Sequence, residues 1–165
     1  MSSEPAGGEP QKTRNLLIYV GGFEFPDLNA AAHRVLANGN IFSDLGFEVV
    51  FLAVSQVNGC HYCTAAHSMI ADMVSGVPKD VLAAIRARQP IPDARLGALH
   101  ALATDLVQHQ GRPGADTVEK FLAAGFSERQ MLYVVLAIAV KTLSNYTNHA
   151  FDTEVDVRFA KYAVS

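Results

Sequence analysis

The chain has little of what would send it to nucleic acid or a membrane. It has no basic cluster, and its formal charge is only −3, so an electrostatic footprint for nucleic acid is missing. Its longest uninterrupted apolar stretch, from Met131 to Val140, is far short of the roughly 20 residues that cross a bilayer. Residues 1–14 are polar, rich in Gly, Pro and Glu, and lack the apolar centre of a secretory signal. This predicts a cytoplasmic protein with a disordered tail over residues 1–14. There is no internal repeat. Cysteine is scarce, with two in 165 residues. In a reducing compartment such a pair reads as catalytic or metal-binding before it reads as structural.

What is present is a core-forming majority. Half of the residues are hydrophobic, which suits one domain over residues 15–165. The apolar residues recur mostly at helical spacing. Leu28 to Ala37 follows the start signal Pro26-Asp27, and Asn38-Gly39-Asn40 breaks it. A helix over residues 44–57 turns back at Asn58-Gly59, and a second begins around the cysteines. A short helix runs near Lys79–Arg88, between Gly76-Val77-Pro78 and Pro90. Leu96, Leu99, Leu102, Ala103, Leu106 and Val107 form a helical stripe. Asp116 or Thr117 can cap the next helix, which ends at Gly125, and Ser127-Glu128-Arg129-Gln130 opens a long final helix. That helix is apolar on every side from Met131 to Val140, which makes it either central or part of a subunit interface. The run Leu16–Val20 has strand character but no second strand to pair with, and reads as an extended arm. The expectation is an all-α, single-domain bundle of about seven or eight helices.

The chemistry gathers in Asn58-Gly59-Cys60-His61-Tyr62-Cys63-Thr64-Ala65-Ala66-His67. On a helix, Cys60 and Cys63 are neighbours at i and i+3, and Cys63 and His67 at i and i+4. A dithiol with an imidazole beside one sulfur is a redox arrangement, because the thiolate is the reactive form and a helix N-terminus or nearby base promotes it. Glu48 lies in the apolar segment 46–54, where a carboxylate is out of place. In an antiparallel helix pair, Glu48 stands about 13 Å from the turn and His67 about 10 Å. The two are then level, so that Glu48 can hold the imidazole, His67 can relay a proton, and Cys63 can be the thiol served. Other readings of the same residues remain. The cysteines can be small buried hydrophobes. Zinc can take Cys60, Cys63 and His67 with His61 or Glu48, although three ligands over two turns of one helix make an awkward tetrahedral chelate. His33, His100 and His109 read as surface residues.

The set Glu48, Cys60, Cys63 and His67, with these spacings, resembles the active-site signature of the alkylhydroperoxidase D-like branch of the carboxymuconolactone decarboxylase family. The helix pattern resembles the family from about Leu28 onward, and the run Asn145-Tyr146-Thr147-Asn148-His149 resembles a recurrent C-terminal element of it. The resemblance implies a helical oligomer, dimeric, trimeric or hexameric, and a thiol peroxidase needing no metal, haem or flavin. It also implies that the second cysteine, Cys63, attacks a hydroperoxide and becomes a sulfenic acid. Cys60 then condenses with that acid, and a lipoyl- or thioredoxin-like dithiol protein reduces the disulfide. The chain departs from the pattern at Tyr62. A histidine that joins the proton relay can stand there, whereas Tyr62 donates a hydrogen bond but is a poor acid-base group near neutral pH. Two other functions are compatible with the family or the residues: a lactone decarboxylase, which needs no thiols, and a non-enzymatic redox sensor or zinc-binding protein.

Overall fold

The computed structural model describes residues 19–20, 23–24 and 44–164. The expected tail over residues 1–14, the helix from Leu28 to Ala37 and His33 lie outside them. The described residues form six α-helices: α1 (Asp44–Val57), α2 (His61–Met73), α3 (Lys79–Ala87), α4 (Ala94–Gln108), α5 (Ala115–Ala123) and α6 (Glu128–Ala150). A 3-10 helix at Val157–Tyr162 follows. The class is all-α, with one small addition. The reading of Leu16–Val20 as an unpaired arm is corrected: Tyr19–Val20 pairs antiparallel with Phe23–Glu24, placing Tyr19 opposite Glu24 and Val20 opposite Phe23. Phe23, the first residue of the partner strand, stands three positions after Val20.

The middle of the bundle is α1. Val49, Val50, Leu52 and Val54 are fully enclosed, with Phe51 and Ala53 nearly so, and the helix packs against α2, α4 and α6. A helix buried on all sides must be apolar all round, and over its buried stretch, residues 46–55, α1 meets that condition except at Glu48 and Ser55. The apolar run of α6 has a different fate. Val134 and Ala137 face the core, while Leu132 and Val135 are 69% and 47% exposed.

Local signals set the element ends. Ser127 caps α6: its hydroxyl accepts from the Gln130 amide, and the Gln130 side chain accepts from the Ser127 amide, a reciprocal capping box. Asp93 caps α4 by accepting from the Leu96 amide. Helix α5 starts earlier than Asp116 or Thr117, with Gly114 at its N-cap. The reason is Asp105 of α4, whose carboxylate accepts from the Gly114 amide and ties the loop down before the helix begins. The α1–α2 turn depends on Gly59, whose φ of +68° costs a side-chain-bearing residue about 1–2 kcal/mol.

The 3-10 helix closes over the outer face of α2. Phe159 and Tyr162 pack with Ala65, the Tyr62 hydroxyl donates to Asp156, and the Tyr162 hydroxyl donates to Asp72. Arg86 of α3 completes the clamp, donating to the Ser68 hydroxyl and the Tyr162 carbonyl. Among the described residues no single helix is long and apolar enough to cross a membrane.

Candidate active site

The two cysteines stand where α1 turns into α2. The Cys60 amide donates to the Ser55 carbonyl at 2.9 Å, and the Cys60 carbonyl accepts from both the Thr64 amide and the Thr64 hydroxyl. Cys60 is therefore the N-cap residue of α2, with extended backbone (φ −85°, ψ 98°), and Cys63 lies inside the first turn. Both are free thiols and both are enclosed, at 1% and 3% exposure.

Helix α6 crosses this turn with a polar stripe. Asn148 donates to the Cys63 sulfur at 3.2 Å. The Ser144 hydroxyl lies 3.8 Å from the same sulfur. Asn145, fully buried, accepts from Asn58 at 3.0 Å and donates to the Ser55 hydroxyl at 3.3 Å, which fastens the turn to α6. Lys141, one turn earlier, reaches His67: Nζ is 2.6 Å from Nε2. Residues 141, 144, 145 and 148 recur at i, i+3, i+4 and i+7, one face of a helix.

Glu48 and His67 meet across α1 and α2. The Glu48 carboxylate lies 2.8 Å from His67 Nδ1, with both side chains about nine-tenths enclosed. A carboxylate only accepts, so Nδ1 carries the proton and Nε2 presents its lone pair. That lone pair accepts a hydrogen bond from the Lys141 ammonium. The three groups thus form a hydrogen-bonded chain from carboxylate through imidazole to ammonium. Buried charges persist when paired in this way. The Phe51 ring flanks both partners, 5.1 Å from the His67 ring and 5.2 Å from Lys141 Nζ.

The thiols divide one proton between them. The Cys60 S–H donates to Cys63, which holds the Cys63 thiol down at about 4. Burial opposes this, and Lys141, His67 and Ser144 support it. Cys60 is pushed the opposite way, by the same hydrogen bond first and by burial second. The arrangement accordingly stabilises a thiolate on Cys63 beside a protonated Cys60.

The structure gathers Glu48, Cys60, Cys63 and His67 within one region, and adds four residues the spacing did not single out: Lys141, Ser144, Asn145 and Asn148. Their signal was available as polar residues at helical spacing where an apolar helix ends. His149 is exposed and stacks on Tyr146, away from the sulfurs, while Asn148 beside it touches Cys63. His61 is exposed. His109 is an exposed residue bonded to Asp105. His100 departs from the surface reading: it lies partly enclosed on α4, burial lowers its pKa, and its Nε2 has no hydrogen-bond partner among the described residues. Among the described residues no three of His, Cys, Asp and Glu converge on a metal position. At His67 a dication would have to displace the Lys141 ammonium from Nε2.

Residues 28–105 match the carboxymuconolactone decarboxylase family. That match supports the resemblance read from Glu48, Cys60, Cys63 and His67. The match spans Glu48, both cysteines and His67, and stops before α6. No curated protein matches the sequence. Solved structures share the fold. One is a protein of unknown function from Agrobacterium tumefaciens, put forward as an antioxidant defence protein AhpD. It is 17% identical, with a TM-score of 0.66, over 79% of this chain and 90% of that one. Another is the debrominase Bmp8, solved as a cysteine-to-alanine variant in complex with 2,3,4-tribromopyrrole. It is 16% identical, with a TM-score of 0.70, over 91% of this chain and 84% of that one. At such identities the likeness establishes the alkylhydroperoxidase D-like fold. The chemistry has to be argued from the site.

Proposed function

We propose that this chain is a member of the carboxymuconolactone decarboxylase family and a thiol-dependent oxidoreductase that reduces hydroperoxides through Cys60 and Cys63. The observation that carries the reading is the unequal placement of the two thiols: Cys60 is the N-cap of α2, and Cys63 lies in its first turn with Asn148 donating to its sulfur and the Cys60 S–H lowering its pKa, which favours ionisation at Cys63 over Cys60. A nucleophile and a resolving thiol need that division. In the proposed cycle the Cys63 thiolate attacks the terminal oxygen of the hydroperoxide. A sulfur–oxygen bond forms, the oxygen–oxygen bond breaks, and the alkoxide leaves and takes up a proton to become the alcohol. Cys63 is then a sulfenic acid. The Cys60 thiol attacks it, water leaves, and a Cys60–Cys63 disulfide remains. A dithiol partner, lipoyl- or thioredoxin-like, reduces the disulfide by exchange and is itself oxidised. Glu48 and His67 form the polar support of this cycle. Tyr62, engaged with Asp156, serves to fasten the helix rather than to carry protons. The enclosed sulfur favours a slim hydroperoxide, and the cytoplasm supplies the reducing conditions the cycle requires.

The protein acts as a homo-oligomer in this reading, joined through the exposed apolar face of α6, where Leu132, Val135, Leu143 and Tyr146 lie open to solvent.

The test is a free-thiol count before and after one equivalent of hydroperoxide, with the product located by mass spectrometry. Two thiols should fall to none, with a Cys60–Cys63 bond. Cys63→Ser should abolish peroxide consumption, and Cys60→Ser should leave one turnover and a sulfenic acid on Cys63. Trapping of the acid on Cys60 would reverse the roles. Retention of both thiols would remove the peroxidase reading.

A further inference from the structure

Lys141 is the member of the site that the dithiol cycle leaves without a task. It lies outside the segment that matches the family. A lysine only 7% exposed is unusual unless its charge is answered. Here the answer is indirect. The ammonium does not touch the Glu48 carboxylate. It is joined to it through His67, with 2.6 Å to Nε2 on one side of the ring and 2.8 Å from Nδ1 to Glu48 on the other. Because the Nε2 lone pair is occupied by Lys141, His67 is not free to accept the proton of Cys63. The cationic end of the chain is carried by α6, the helix that also contacts the Cys63 sulfur. Ser144 and Asn148, the residues of α6 nearest the Cys63 sulfur, stand on the same face, one and two turns beyond Lys141.

We propose that Lys141 is a positioning residue for the dithiol: its ammonium, held in place by His67 and through it by Glu48, supplies the positive field that keeps Cys63 ionised. This rests on the reading of Cys63 as the reactive sulfur. Glu48 and His67 then act on Cys63 through Lys141 instead of removing its proton. The groups that bear on the Cys63 charge are Cys60 at the turn, His67 on α2, Lys141 and the polar Ser144 and Asn148 on α6, and Glu48 on α1 by way of His67. Of the influences on Cys63, the Lys141 charge comes directly after the Cys60 hydrogen bond and the opposing burial. An ammonium is suited to the task because it can donate to His67 and still carry a full charge.

The experiment follows the rate of Cys63 alkylation by iodoacetamide against pH in the full-length protein, with the site confirmed by peptide mass spectrometry. In the wild type the rate should be flat near neutrality and fall away only as the pH drops toward about 4. Lys141→Met should move the midpoint up by about one to three pH units, the range for loss of a close opposite charge. Lys141→Gln keeps a donor for His67 without the charge, and should shift the midpoint as Met does; it serves if the Met variant fails to fold. Lys141→Arg should restore most of the low midpoint. A midpoint unchanged in the folded Met or Gln variant overturns the proposal, as does an Arg variant that shifts as far as Met. Because alkylation needs no peroxide, the two readings fail separately. A low midpoint that depends on Lys141 with no peroxide turnover would remove the peroxidase and leave the role of Lys141 standing.

Discussion

At Cys63 a buried sulfur is asked to carry charge, and burial alone would forbid it. Desolvation raises the pKa of a thiol. The opposing hydrogen bond from Cys60, together with Lys141 and His67, wins and brings the group to about 4. The sign matters for reactivity: a value below the ordinary 9.0 means thiolate at every pH above that value and its loss as pH falls through about 4. Glu48 and His67 share one path to this charge, and their removal should show it. Glu48→Gln and His67→Ala should each slow the reaction of Cys63 with peroxide, because the ammonium that favours its ionised form is no longer held in place. The double variant should lose little more, because the second change acts on a chain already cut. Stopped-flow rates for the three variants check this, and losses that multiply in full would mean that the residues act independently.

The elements divide the work between a turn and a stripe. The turn, Asn58-Gly59, delivers Cys60 to the N-cap of α2 and sets Cys63 three residues on. The stripe on α6 brings Lys141, Ser144, Asn145 and Asn148 onto that turn. Asn145 is the joint between them, since it is fully buried and bonded to both Asn58 and Ser55. Asn145→Ala should cost about 1–3 kcal/mol, the penalty for leaving a buried polar partner unpaired. Urea denaturation measures that cost. The same variant should speed alkylation of Cys60, because the turn is no longer fastened to α6. A variant as stable as the wild type would mean that water replaces the amide at no cost and that the turn stands without α6.

For the whole molecule the open question of chemistry is where the apolar surface of α6 goes. Leu132 and Val135 are exposed among the described residues, and the proposed assembly would cover them, as apolar patches at interfaces are covered. Closed homo-oligomers are the commonest way to cover such surface. Val135→Glu distinguishes the two uses of the helix. Because Val135 faces outward, the charge should lower the assembly state seen by sedimentation while leaving the helical signal of each subunit intact. A wild type that sediments as a monomer at micromolar concentration would remove the interface.

Much of this was written in local patterns. The helical periods, the Ser127 capping box, the Asn58-Gly59 turn and the spacing of Glu48, Cys60, Cys63 and His67 all depend on residues close in sequence or on the rise of two antiparallel helices, which counting can reach. The family resemblance followed from the same residues. The hairpin at Tyr19–Val20 was missed because two-residue strands leave almost no alternation to read. The starting residue of α5 was missed because Asp105, nine positions before Gly114, fixes it. The centre of the bundle and the inward course of Lys141 could not be read locally, whereas Asn145 and Asn148 stood in the run that resembles the family. Both α1 and the apolar run of α6 look fit for burial, and only the packing of α2, α4 and α6 around α1 decides which is enclosed and which keeps an open face. Lys141 stands 74 residues from His67, and nothing in its own neighbourhood tells a surface lysine from one whose ammonium is drawn inward. A contact between distant helices made that choice, because the cost of burying the charge is met by a carboxylate and an imidazole from two other elements.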